Sequence, residues 1–419
     1  MTEFDLATGF LILVAVAGWL NARWLRLPTA SAMLLTGLIG GVILLFVQSR
    51  TMERNAFTNL VGTVRAFNFP RTVLGYLLAF LLFSGAIQVD LPELRRRLLA
   101  VGTLATVGVL VSTLIVSVGL WQVAQSLGLG LTLPWAFVFG ALISPTDPIA
   151  VLAAVRDGNL SKSLEAVLQG EALLNDGVGI VVFGGALALA TKTGSLDAPV
   201  LLGQLAVQAL GGLAVGAVFG FIAIRALRTI DDYTVEVTIT LALAMSSYAA
   251  AQSMGVSGPL AVVAAGLLVG ERGLNTAMSA ISQRYVRAFW TLVDEILNAA
   301  LFLLLGLELL IVPINIRLAG LWALAIVLVV GARSVVVLPW GLHFNRAERR
   351  EGAGLLLSWG GLHGALSLAL ALSIPKGAPR DIILPTTFAV VVFSILVQGT
   401  SFTTLSNRLA RVKARARIR

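Results

Sequence analysis

Residues 133–155 read LPWAFVFGALISPTDPIAVLAAV. The run is long enough to cross a bilayer, which takes about 20 apolar residues, yet Pro145 and Pro148 bracket Thr146 and Asp147 near its centre. Each proline removes a backbone donor and frees a carbonyl, so a helix here must break at membrane depth. Irregular backbone survives at that depth when it is buried in protein or lines a wet cavity. Farther along, residues 351–375 read EGAGLLLSWGGLHGALSLALALSIP and place Gly360, Gly361 and Gly364 at a similar depth, where backbone is expected to loosen. The sequence therefore predicts two broken helices.

The rest of the chain agrees with a membrane setting. Its 419 residues are 58% apolar and 12% charged, with mean hydropathy +0.93; soluble domains carry about 25% charged residues. The expected fold class is an all-α polytopic membrane protein of about thirteen spans, at 6–25, 30–48, 70–89, 98–126, 133–155, 163–192, 198–226, 232–253, 257–270, 285–312, 317–340, 351–375 and 381–405. The two broken spans are the fifth and the twelfth, seven apart. That spacing suggests an inverted repeat, helices 1–6 and 8–13 with helix 7 as linker, as is typical of secondary transporters.

Composition excludes several functions. With no cysteine there are no disulfides, thiolate metal sites or thiol nucleophiles, and two histidines, His343 and His363, cannot build a zinc site alone. No soluble catalytic domain fits between the spans. The net charge of +9 reads as topology and not as nucleic-acid binding. With the N-terminus outside, 21 of the 30 Lys and Arg fall in inner loops and the tail. Glu3 and Asp5 stand where a signal peptide would carry positive residues, so the first span is expected to be retained. Residues 49–69 read as a polar outer loop able to hold a short interfacial helix, and 406–419 as a short basic cytoplasmic tail that can touch anionic lipid.

Ionisable groups at membrane depth are costly and mark ion paths or proton relays. Here they are Asp147 in the fifth span, Glu171 and Asp176 beside Asn175 in the sixth, Arg333 in the eleventh and His363 in the twelfth, with Glu308 expected to reach the interface at an end of the tenth. On a helix, Glu165, Gln169, Ala172 and Asp176 form one stripe that Asp176 ends. A desolvated carboxylate there can hold either a proton or a bare monovalent cation; the structural alternative is a permanently paired acid. Glu171 and Arg333 are the natural ion pair, since each alone at that depth would be an unpaired charge. Asp147 either neutralises positive helix ends or lines the cation path, and can also N-cap a half-helix ahead of Pro148. Thr146 offers hard oxygen ligands for a cation. His363 can carry protons or pack helices. Two patterns weigh less: Gly255-Val256-Ser257-Gly258 matches the serine motif of intramembrane proteases, with His363 as a conceivable partner, and Gly212, Gly216 and Gly220 form a ladder for close helix contact.

ALISPTDPIAVLAAV (141–155), GEALLNDGVGIVVF (170–183) and SWGGLHGALSLALALSIP (358–375), supported by VSGPLAVVAAGLLVG and FLLFSGAIQVDLPELRRR, resemble monovalent cation/proton antiporters of the NhaP and sodium/proton exchanger type. The resemblance spans nearly the whole chain. It implies the Na+/H+ antiporter fold in a homodimer of the inner or plasma membrane, N-terminus outside and C-terminus cytoplasmic. Helices 4–6 and 11–13 (about 98–192 and 317–405) would be the moving core, and helices 1–3 and 7–10 (about 6–89 and 198–312) the dimerisation scaffold. It implies secondary exchange of H+ for Na+ or Li+, or for K+ as the nearest alternative, with no cofactor, no enzymatic activity and no nucleic-acid partner.

By position, Asp176 resembles the ion- and proton-binding aspartate, and Asn175 the asparagine of the electroneutral branch. Thr146 and Asp147 resemble the pair at the unwound helix, which puts a transported cation at Asp176 and Thr146. Glu171 and Arg333 resemble the structural ion pair. Three positions depart and are possible modulators: Ala172 where many members have serine, Ser84 where some have glutamate, and His363 where arginine is common. A cation channel and an intramembrane serine protease using Ser257 remain the readings from other classes.

Overall fold

The computed structural model describes residues 3–50, 73–147, 161–191, 198–308, 312, 315–347 and 352–416. Within them the chain is helical apart from short connections, and the one extended contact is a single bridge between Asp147 and Leu362. In chain order the helices are α1 (Glu3–Leu20), α2 (Thr29–Arg50), α3 (Leu78–Gln88), α4 (Leu98–Ser126), α5 (Leu133–Ile143), α6 (Lys162–Ala190) and α7 (Ala198–Leu227). There follow α8 (Tyr233–Ser253), α9 (Gly258–Ala277), α10 (Ala280–Leu307) and α11 (Ala319–Ala347). The twelfth is split into α12a (Ala353–Trp359) and α12b (Ala365–Ser373), and α13 runs from Ala378 to Ala416.

Among the described residues nine helices are long and apolar enough to cross a membrane; α2, α3 and α5 carry shorter apolar stretches, and α12 is in two halves. These are the thirteen expected spans, so the chain is a multi-pass membrane protein. The expected second half of the fifth span, with Pro148, and loop residues 51–69 lie outside the described residues. The last helix corrects the expected boundaries: instead of stopping at 405 it continues to Ala416, so most of the basic tail is helical.

Local chemistry starts several helices. Ser161, Asp232, Ser257 and Ser279 each accept a backbone N–H from the first turn of α6, α8, α9 and α10, satisfying donors that a helix start leaves unpaired. Ser257 is thus a helix cap with Pro259 just behind it, a role that accounts for the protease-like pattern without a nucleophile. The glycine ladder works inside the protomer. A Cβ at Gly212, Gly216 or Gly220 would run into Ser257, Ala261 or Ala265 of α9 and its cap, so these glycines let α7 lie against α9. Likewise Gly37 of α2 and Gly306 of α10 meet backbone to backbone: a Cβ on Gly37 would lie 2.9 Å from the Cα of Gly306.

Burial separates the helices. Large apolar side chains on α1, α2, α7 and α11, such as Leu11, Ile43, Leu210 and Val327, stay exposed on the outer surface, as lipid-facing positions should. By contrast, α5, α9 and both halves of α12 are largely buried. One apolar cluster packs Phe139 of α5, Phe183 of α6, Phe302 of α10 and Leu370 of α12b; another packs Phe83 of α3, Trp290 of α10, Val262 of α9 and Phe402 of α13.

Candidate ion-binding site

The two interruptions meet. α5 ends at Ile143, and its continuation through Ser144 to Asp147 reaches the break in α12, where the Asp147 N–H donates to the Leu362 carbonyl at 2.7 Å. The second polar link is the His363 ring, whose Nδ1 lies 3.1 Å from the Pro145 carbonyl. The His363 N–H in turn donates to Ser394 Oγ at 2.9 Å, in a π-helical turn (Ser394–Gly399) that interrupts α13. Backbone groups at the two interruptions are thus satisfied by the facing segment and by Ser394 of α13, as burial demands.

Charge is matched to the two half-helix ends at the α12 break. Gly364 caps α12b, and a Cβ there would collide with the Asp147 carboxylate, so this anion sits at the positive start of α12b. At the negative end of α12a, Arg333 Nε donates to the Leu357 carbonyl at 3.2 Å. A Cβ on Gly361 would strike that guanidinium, which explains the second glycine of the break. Arg333 also grips Glu171 with two nitrogens, Nη1 to Oε1 and Nη2 to Oε2, the second at 2.9 Å, both side chains being buried. This fork-to-fork ion pair ties α11 to α6 and leaves neither charge unpaired.

Asn175 and Thr146 are joined as well. The Asn175 amide Nδ2 donates to Thr146 Oγ1 at 2.8 Å, and the Thr146 N–H donates to Asn175 Oδ1 at 3.4 Å. Asn175 thus holds the unwound segment of α5 against α6. Gly179, one turn farther, would meet the Pro145 ring with any Cβ, so the helix approaches the break closely there.

Asp176 points the other way, into a cavity of about 290 Å³. The whole stripe Glu165, Gln169, Ala172 and Asp176 lines it, joined by Asp147 from the α5 extension. No described residue donates a hydrogen bond to the Asp176 carboxylate, whereas Glu165 accepts from Gln169 Nε2 at 3.3 Å. The cavity's described lining contains four acids, Asp147, Glu165, Asp176 and Asp294, and no basic side chain. The acids draw cations to this recess, and its volume has room for several waters. Beyond Asp176 along α6, Phe183 is buried in one apolar cluster with Phe139 and Phe302, and among the described residues Asp176 is the last of α6 to line the cavity.

The remaining expected residues fall elsewhere. Thr146 and His363 lie behind the crossing, against the Glu171–Arg333 pair, and not on the main cavity wall. Ser84 is fully buried and spends its hydroxyl on the Trp290 carbonyl at 3.3 Å; its neighbours Gly85 and Gln88 line the cavity, and Ser84 does not. Glu308, expected at the interface, is instead buried at 3% exposure just past the end of α10. Sequence reasoning missed three polar residues: Asp294 and Asn298 of α10, which line the cavity, and Glu236 in the first turn of α8, which is wholly buried with neither carboxylate oxygen hydrogen-bonded among the described residues. The four-residue spacing puts the first two on one helix face, but it does not say that this face lines a cavity.

A multi-helix membrane bundle whose broken helices cross beside an acidic cavity has the architecture of a secondary cation transporter. The family described as "Sodium/hydrogen exchanger, transmembrane" matches residues 11–408, and the chain belongs to that family. Its relatives include the Na(+)/H(+) antiporter NhaP of Pseudomonas aeruginosa, 39% identical over 414 residues covering 97% of this chain and 96% of that one. Another is the Na(+)/H(+) antiporter NhaH of Halobacillus dabanensis, 33% identical with 96% and 97% covered. Among solved structures, the sodium proton antiporter MjNhaP1 from Methanocaldococcus jannaschii at pH 8 shares the fold, with TM-score 0.73 at 20% identity over 98% of this chain and all of that one.

Proposed function

We propose that this protein exchanges H+ for Na+ or Li+ by alternating access, with Asp176 carrying either ion in turn. The observation that carries the reading is the Asp176 carboxylate itself, which faces an acidic cavity with no hydrogen-bond donor from any described residue. A permanently paired structural acid would resemble Glu171, gripped by Arg333, and Asp176 does not. The relatives' printed names supply the antiport partners, Na+ and H+.

In this mechanism the cation replaces the proton on Asp176 and water leaves as the site closes. Asp147 shares the cavity wall and adds negative field, while Thr146 is held one layer behind by Asn175 and completes the oxygen environment when the unwound segment shifts. Asn175 is neutral, so a single titrating acid on α6 fits one-for-one, electroneutral exchange. A channel would need a path past Asp176, where the apolar cluster is instead packed. The moving core is α4–α6 with α11–α13, and the scaffold α1–α3 with α7–α10, paired with a second copy in a homodimer of the plasma membrane. With the N-terminus outside, the Glu165 end of α6 is cytoplasmic, and the cavity faces inward.

The test is purified protein in liposomes with an internal pH dye, an imposed proton gradient and addition of Na+, Li+, K+ or choline, with and without a membrane-potential clamp. Dissipation by Na+ or Li+ that the clamp leaves unchanged is the expected result. A response to K+ alone would change the substrate, a clamp-dependent rate would remove electroneutrality, and no response to any cation would overturn the reading.

A further inference from the structure

α6 and the α5 extension supply one side of the cavity, and α3 with α10 face them. On α10, Asp294 and Asn298 lie four residues apart, one turn of helix, and both line the space that Asp176 and Asp147 enter from the other side. Asn298 is the unusual member. It is 91% buried by its 9% exposure, yet its amide makes no hydrogen bond with any described residue. Its amide atoms are not sealed in protein but open to the recess, so the partners that its carbonyl and NH2 lack must come from what occupies that space, water or an ion. Its neighbours show the contrast: Gln88, on the same wall, is held by the Ser84 carbonyl at 2.9 Å and by Thr291 at 3.5 Å. Next to Asn298, Leu301 continues the wall, so the polar stretch of α10 stops there.

We infer that Asp294 and Asn298 form a second coordination position for an alkali cation on the wall opposite Asp176, where a carboxylate and an amide carbonyl replace part of the ion's water before it reaches the transport aspartate. Hard monovalent cations take oxygen ligands, and this pair offers a charged and a neutral one on adjacent turns. The four acids of the lining give the recess its attraction; Asn298 gives it a place to hold a partly dehydrated ion. Because α10 belongs to the proposed scaffold while Asp176 belongs to the proposed core, the position exists only in the conformation seen here. It assists capture of the cation and is not carried across. Asp294 and Asn298 are therefore positioning residues for entry, and their loss should appear in the cation concentration dependence and not in the turnover of the loaded carrier.

This inference rests on the antiport reading, and the test separates the two. Exchange rates in liposomes are measured against Na+ concentration for wild type, Asn298→Leu, Asn298→Asp, Asp294→Asn and Asp176→Asn. Asn298→Leu is expected to raise the half-saturating Na+ concentration at least fivefold with the maximal rate within twofold of wild type, and Asn298→Asp, which keeps an oxygen ligand, to restore it. Asp294→Asn should raise it as well, with the effect shrinking at high ionic strength. Melting temperatures of all variants are recorded, since a packing role would lower stability and maximal rate together. An unchanged half-saturation in Asn298→Leu, or a loss that Asn298→Asp fails to repair, overturns the inference while a dead Asp176→Asn leaves the antiport reading standing. If Asp176→Asn still exchanges ions, it is the antiport reading that fails.

Discussion

Single buried charges decide most of what happens at the residue scale, and two of them should respond to mutation with opposite sign. Arg333 holds Glu171 with two nitrogens and caps the Leu357 carbonyl, so Arg333→Ala strands a buried carboxylate and a helix end together. A loss of roughly 3–5 kcal/mol is expected, read as a lower melting temperature in detergent; a variant as stable as wild type would mean that the pair carries no structural load. Glu236 is buried without a hydrogen bond to either oxygen among the described residues, and Glu236→Met should hold or raise the melting temperature. Leaving a buried polar group unsatisfied costs about 1–3 kcal/mol, a cost that an apolar side chain of similar volume removes. A marked fall would reveal a partner for that carboxylate. Charge alone made some of this legible: an acid and a base at membrane depth must find each other, which points to Glu171 and Arg333 before any coordinates. Asp294 and Asn298 were not legible by the same rule. Asp294 sits beside Glu295 on an otherwise ordinary span, and only the cavity tells which of the two adjacent acids faces inward.

For the elements, the break in α12 is set by glycines whose missing side chains make room for charges from other helices. Gly364→Ala would place a methyl group on the Asp147 carboxylate and Gly361→Ala one on the Arg333 guanidinium. Neither backbone position needs a left-handed conformation, so the effect is steric. Overpacking of this kind costs about 1–3 kcal/mol, and Gly364→Ala is expected to slow exchange at least tenfold while the protein still purifies as a folded species. Near-normal exchange would show that the crossing relaxes freely. The breaks themselves were readable in the sequence because proline and glycine act directly on the backbone. The π-helical turns were not. Those at Leu104–Gly108 and Ser394–Gly399 lie within apolar runs with no proline, the one at Val269–Gly273 spans Glu271 and Arg272 at the end of such a run, and in the last Ser394 accepts the His363 N–H, a contact no local pattern encodes. The end of α13 was missed for the opposite reason: basic residues read as a tail, although Lys and Arg are good helix formers and keep the helix going to Ala416.

Over the whole molecule, the arrangement of thirteen spans is a matter of length and hydropathy, and both are properties of the sequence. What lies between the helices is not. The cavity along α6 depends on how far α3 and α10 stand from that stripe, a distance no periodicity encodes. Orientation can be tested cleanly because the chain has no native cysteine. A single Gln169→Cys on the cavity wall should react with a membrane-impermeant thiol reagent in inside-out vesicles and stay protected in right-side-out ones. The reverse pattern would place the cavity, and with it the N-terminus, on the other side.

The account turns on Asp176 as the shared carrier of proton and cation. The most direct measurement is exchange by Asp176→Asn in liposomes, with proton flux and Na+ flux followed in the same preparation and the melting temperature checked against wild type. A neutral amide cannot alternate between proton and cation, so both fluxes should vanish together while the fold is retained. Sustained coupled exchange in that variant would contradict the account, because the ions would then be carried by a different group.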